Sequence, residues 1–134
     1  PCAYYNREMP YPGDIERYRD FRRFVNGEEN PYPDYTAVNR DMLHRMLKAA
    51  LDFADAHPDK ILWFGEFGTI RHANIKYREA WMRDVISIIK EKDIPFCVWN
   101  YLSTPYDGNR FSLVDDDNRR IVSEEMAKII RGEV

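Results

Sequence analysis

Cysteine is scarce in this chain: only Cys2 and Cys97 occur among 134 residues. Two thiols are too few for a disulfide scaffold or a zinc site. Histidine is nearly as sparse, and His44, His57 and His72 do not fall at ligand spacing with an acidic or thiol partner. Neither a metal nor a cofactor is expected. No apolar run reaches the roughly 18 residues that a membrane-spanning helix needs, so no membrane segment is expected. Positive charge is not in excess either. A net charge of −3 with a pI near 5.6 leaves no basic footprint for nucleic acid. The first residues, Pro1-Cys2-Ala3-Tyr4-Tyr5, have neither a basic leader nor an apolar core, so no signal peptide is read and export stays open. The chain begins without methionine and in mid-pattern, as a piece of something longer would.

What is present describes one ordinary soluble globular domain. The length suffices for a sizeable core, and 44% hydrophobic with 32% charged residues is neither a disordered nor a membrane composition. Aromatics are plentiful, with 9 Tyr, 7 Phe and 3 Trp. They serve either as packing or as platforms for sugar rings and other flat ligands.

The sequence reads outward from Ile61-Leu62-Trp63-Phe64-Gly65-Glu66-Phe67-Gly68-Thr69. Four large apolar residues without a polar break, closed by glycine, predict a strand buried on both faces. Glu66 then sits at the C-terminal end of that strand. A buried carboxylate is costly unless it is paired, hydrogen-bonded or used.

Residues 1–12 read as a strand end passing into a loop, with Tyr4 and Tyr5 as the last strand residues. A long strand-to-helix loop spans 6–33, within which Ile15, Tyr18, Phe21, Phe24 and Val25 recur at helical spacing. Connections of this length are more often functional than idle. Asp34 or Thr36 is the expected cap of a helix running to about Ala56, with Leu43, Met46, Leu47, Ala50, Leu51 and Ala54 as its apolar stripe. After the strand at 61–69 comes a loop to Asn74, and a second helix is predicted from Ile75 to about Lys92 on Tyr77, Trp81, Val85, Ile88 and Ile89. Phe96-Cys97-Val98-Trp99-Asn100-Tyr101-Leu102 is a second buried apolar run. A loop over 103–114 follows. One of Asp115, Asp116 and Asp117 is then expected to cap a last helix to Arg131, with Gly132 just beyond its end.

Strands alternating with helices imply an α/β fold with parallel pairing, which occurs in doubly wound sheets and in (β/α)8 barrels. No glycine-rich phosphate loop follows a strand, which removes support from the nucleotide-binding branch. In a barrel, sites lie at the C-terminal strand ends. Tyr4 and Tyr5, Glu66, and Trp99 with Asn100 all fall at such ends. If Cys2 and Cys97 lie two strands apart, roughly 10 Å separates them, too far for a disulfide.

Gly-Glu-Phe-Gly closing an apolar strand, the helical Trp81-Met82-Arg83-Asp84-Val85, and Val98-Trp99-Asn100-Tyr101 on the next strand resemble glycoside hydrolase family 5. This is the cellulase and mannanase family of retaining β-glycosidases. The likeness covers most of residues 34–131. It implies the C-terminal portion of a (β/α)8 TIM barrel, from about the end of strand six to helix eight, as one partial domain over 1–134. It also implies part of an endoglucanase-like enzyme that hydrolyses β-1,4-linked polysaccharide through a glycosyl-enzyme. Glu66 matches the family nucleophile, and Trp99 the strand-eight sugar platform. Tyr4 or Tyr5 matches the tyrosine that hydrogen-bonds the nucleophile, although cysteine stands at position 2 where the family has histidine. Asn100, Arg71 and His72 are candidate subsite residues. Secretion or a periplasmic location follows from the same resemblance.

A retaining glycosidase needs a second carboxylate about 5–5.5 Å from the first. The family supplies it from an Asn-Glu-Pro motif at a strand end, and no such motif follows an apolar strand here. Glu28-Glu29-Asn30-Pro31 has another order and no strand before it. A barrel also takes about 250 residues, so this chain alone is not expected to be active. One side of its sheet and both edges would lie open. The expected partners are therefore a polysaccharide and a remaining barrel segment, from the parent chain, a complementary chain or a second copy. Two alternatives stay open: a non-catalytic glycan-binding or scaffold fragment, and a barrel in which Glu66 acts as a base or metal ligand.

Overall fold

The structure, a computed structural model, describes residues 10–16, 18, 34–104 and 111–134. Among these, short strands β1 (Gly13–Asp14) and β2 (Ala37–Val38) pair antiparallel. Helix α1 (Arg40–Ala56), strand β3 (Phe64–Phe67), helix α2 (Ile75–Lys90), strand β4 (Phe96–Val98) and helix α3 (Glu124–Arg131) follow. β3 and β4 pair in parallel, as strands separated by a helix should. None of the described helices is long and apolar enough to cross a membrane.

Each helix starts at a side-chain cap. Asn39 Oδ1 accepts from Met42 N at 3.1 Å, Asn74 Oδ1 from Lys76 N at 2.9 Å, and Ser123 Oγ from Met126 N at 3.0 Å. A cap of this kind contributes about 1 kcal/mol. α2 packs against both α1 and α3. The shared core includes Met42, Leu51, Trp81, Val85, Ile88, Met126 and Ile129, and it reaches the sheet at Phe67. Tyr11 is buried and donates to Asp84 at 2.6 Å, tying the segment before β1 to α2.

Several expectations need correction. α1 is capped by Asn39, past Asp34 and Thr36, because Ala37 and Val38 are taken up by β2. α2 ends at Lys90, close to the expected end. α3 is capped by Ser123, well after the aspartates at 115–117. Asp115 Oδ1 instead accepts from Asp117 N and Asn118 N. Its turn joins a bridge between Val114 and Ile121, the kind of local bonding by which aspartate competes with helix. Ile121 and Val122 are accordingly exposed and outside the helix. Gly132 takes the left-handed conformation at φ 75°, and Glu133 N donates to Lys128 O at 2.9 Å, which closes the helix as expected of a glycine there.

The two apolar strands are not buried on both faces. Leu62, Phe64, Phe67, Phe96 and Val98 pack with the core, whereas Ile61 and Trp63 are 89% and 61% exposed and Cys97, Trp99 and Tyr101 are also exposed. The period-two alternation of a one-sided sheet is present, with large apolar groups on the side that the described helices leave uncovered. Ile15 and Tyr18 are helical and buried, while Phe21, Phe24, Val25, Tyr4 and Tyr5 lie outside the described residues.

Candidate active site

The C-terminal ends of β3 and β4 bring two of the sequence-predicted residues together. Phe64 pairs with Phe96 and Phe67 with Val98, so three steps along β3 match two along β4. Strict alternation would put Glu66 on the helix-facing side with Phe64. The extra residue instead leaves Gly65 and Glu66 both exposed and returns Phe67 to the core. Re-aiming a side chain is a common consequence of such irregularities. Glu66 makes no side-chain hydrogen bond among the described residues.

Trp99 follows β4 directly. Its backbone N donates to Phe67 O at 2.7 Å, and the residue is 44% exposed. Gly68 lies against it: a Cβ built at that position would collide with the Trp99 carbonyl oxygen and crowd the Phe111 ring at 3.2 Å. Here the second glycine of the motif is required by close approach of two strand ends.

The remaining candidates divide. Asn100 is turned into its own loop, its Nδ2 donating to Leu102 O at 3.3 Å and its Oδ1 accepting from Ser103 Oγ at 3.1 Å. It shapes the turn after Trp99. Arg71 pairs with Asp116, and both are half-buried; a cavity of about 480 Å³ between the loops after the two strands is lined by Arg71, Ser103, Asp115 and Arg119 among others. His72 is exposed on the loop after β3. No group of three or more His, Cys, Asp or Glu residues able to hold a metal gathers among the described residues.

Sequence reasoning missed Arg78. It is 2% exposed, and burial, with Arg71 nearby, pushes its pKa down to about 10 against the opposing pull of Glu79. Its signal was available, since a helix face carrying Trp81, Met82 and Val85 also carries position 78. Glu79 was missed too. Burial raises its pKa, but the hydrogen bonds from Ser123 at 2.7 Å and Lys76 at 3.2 Å outweigh that and hold it below the usual carboxylate value.

No family model matches the chain. Over 132 residues it is 31% identical to Endoglucanase C of Acetivibrio thermocellus and, equally, to an endoglucanase of Clostridium sp. (strain F1). These matches cover 94% of the chain, which spans 35% of the length of these relatives. Among solved structures, a hyperthermophilic endo-β-1,4-glucanase in complex with substrate superposes with a TM-score of 0.57 at 19% identity, covering 69% of this chain and 27% of that one. Cel5A of Thermotoga maritima, solved with mannotriose, gives 0.55 at 14% identity over 95% of this chain and 35% of that one. At such identities the structures speak for the fold alone: an α/β arrangement that is part of a TIM barrel. Similarity to endoglucanases along nearly the whole chain, together with the fold, supports a fragment of a cellulase-like glycoside hydrolase of family 5, and the chain spans about a third of the length of these relatives.

Proposed function

We propose that residues 1–134 form the C-terminal portion of a (β/α)8 catalytic domain, from the end of strand six to helix eight, in a retaining endo-β-glycosidase acting on β-1,4-linked polysaccharide. The observation that carries this reading is the exposed Glu66 at the end of β3 beside the exposed Trp99 at the end of β4, the two strand ends joined by the Trp99 N–Phe67 O bond. A sugar ring stacked on the indole would lie beside the carboxylate. The Glu66 oxygen attacks the anomeric carbon as the bond to the leaving-group oxygen breaks, and that oxygen takes a proton from a second carboxyl group. Water then attacks the same carbon, gives up its proton to the second group, and frees Glu66. The second carboxyl is supplied from outside these residues, as are the strands that cover Ile61, Trp63, Cys97 and Tyr101. Endoglucanase relatives favour a polysaccharide substrate, and the family resemblance favours a secreted or periplasmic protein.

The test is covalent trapping. An activated 2-fluoro-cellobioside should label the complete enzyme on Glu66, as read by peptide mass mapping. Attachment to any other side chain overturns the assignment. One observation favours a second reading, a non-catalytic glycan-binding unit: Glu66 is the one carboxylate on β3 and β4. That reading requires glucan binding with no release of sugar by the complete protein.

A further inference from the structure

The Arg78 guanidinium is held among neutral oxygens. Its Nε donates to Thr69 Oγ1 at 3.1 Å, Nη1 to Arg71 O at 3.4 Å and Nη2 to Ser112 O at 3.4 Å. Thr69 and Ser112 are buried with it. No carboxylate contacts it among the described residues, and keeping a buried cation on neutral acceptors costs several kcal/mol, so packing alone does not explain an arginine there. The three acceptors come from two segments. Thr69 and Arg71 belong to the loop after β3, Thr69 being three residues beyond Glu66, and Ser112 lies on the segment that follows Trp99.

The hydrogen bonds continue toward Trp99. Ser112 Oγ accepts from Ser103 N at 3.0 Å, and Ser103 Oγ accepts from Phe111 N at 2.9 Å while donating to Asn100 Oδ1 at 3.1 Å. Asn100 is the residue after Trp99. A continuous, mostly buried network therefore runs from the Glu66 strand end through one guanidinium to the Trp99 strand end. Such a network is rigid when every member is satisfied.

We propose that Arg78 is a positioning residue that fixes the Trp99 sugar platform relative to Glu66. This role rests on the glycosidase reading above. Arg78 touches no reacting atom and acts through the two loops. Lysine cannot replace it, because one ammonium on a flexible stem does not span three acceptors lying on two segments.

The experiment uses the complete enzyme that carries this chain, with fluorotryptophan incorporated and the Trp99 resonance assigned. Arg78→Met should raise KM for soluble β-glucan about tenfold, with a smaller loss in kcat, and move the Trp99 fluorine resonance. Arg78→Lys should not restore either value. Ser103→Ala, which breaks the same network without touching the buried cation, should move both in the same direction by less. If the Arg78 variants do not fold, Ser103→Ala decides. A wild-type KM and an unmoved Trp99 resonance in the folded variants overturn the proposal. The 2-fluoro-cellobioside reports separately: a label off Glu66 in the unmodified enzyme overturns the functional reading and this role with it. A label on Glu66 beside an unmoved Trp99 overturns the positioning role alone.

Discussion

The two faces of the β3–β4 pair carry similar side chains in opposite surroundings. Toward α2, Phe67 meets Trp81 with ring centroids 6.3 Å apart, Phe96 at 5.6 Å and Phe64 at 5.1 Å. On the other face Trp63, Trp99 and Tyr101 are equally large and apolar, and all are exposed. Hydrophobicity by itself therefore does not tell which face this chain packs. Helix α2 supplies the difference. Its apolar side meets one face only, and the opposite face holds what a barrel would turn inward.

The largest effect should come from breaking the packed face. Phe67→Ala removes a buried ring that touches three other aromatics, and such truncations cost about 3–5 kcal/mol. Trp63→Ala on the open face should change the stability of this chain by less than about 0.5 kcal/mol. Urea midpoints of the two variants check the contrast. If Trp63→Ala proves as damaging as Phe67→Ala, something covers the open face, and the contrast fails for this chain.

Gly68→Ala tests the meeting of the two strand ends. The added methyl has no room against the Trp99 carbonyl, and overpacking of this kind costs about 1–3 kcal/mol. The displaced Trp99 should bind cello-oligosaccharide more weakly, as read by tryptophan fluorescence quenching. Gly65→Ala is the control, since nothing lies within 4 Å of a Cβ built there.

The legibility of this fold follows the same division. The order of α1, β3, α2 and β4 was readable because the helices carry apolar residues at a clear period and the strands fall in short unbroken apolar runs. The strand-end glutamate and tryptophan were readable because their residue types are wrong for a plain core. One-sided burial of the strands was not visible in the runs Ile61–Phe64 and Phe96–Leu102, since apolar residues occupy both faces. The irregularity that turns Glu66 outward depends on the register with β4, which no local pattern encodes. The aspartates at 115–117 misled because aspartate caps turns as readily as helices. Arg78 escaped notice because charge in a helix reads as surface until the whole face is mapped.

Ser123 joins the packed side at its far end. Its hydroxyl caps α3 by accepting from Met126 N and donates to Glu79 on α2. Ser123→Ala should lower stability by about 1–2 kcal/mol, more than a simple cap, because Glu79 also loses a donor while buried. Ser123→Thr should recover most of the loss, since its hydroxyl serves both bonds.

A further small effect is a dependence on pH that belongs to Glu79. Its pKa is lower in the folded protein than in the unfolded chain, so the folded state favours the ionised form. The stability this supplies is fully present above the ordinary carboxylate pKa and is lost as pH falls through the lowered value. Glu79→Gln should therefore cost about 0.5–1 kcal/mol at neutral pH, and the gap from the parent should close on acidification. The carboxylates of Glu91, Asp115 and Glu133 are also held low by their partners, but they titrate alike in both proteins and cancel in the difference. A gap between the two denaturation midpoints that stays constant into acid would show that the α2–α3 contact does not depend on the Glu79 charge. The packed side of the molecule would then owe its stability to apolar burial and the Ser123 cap.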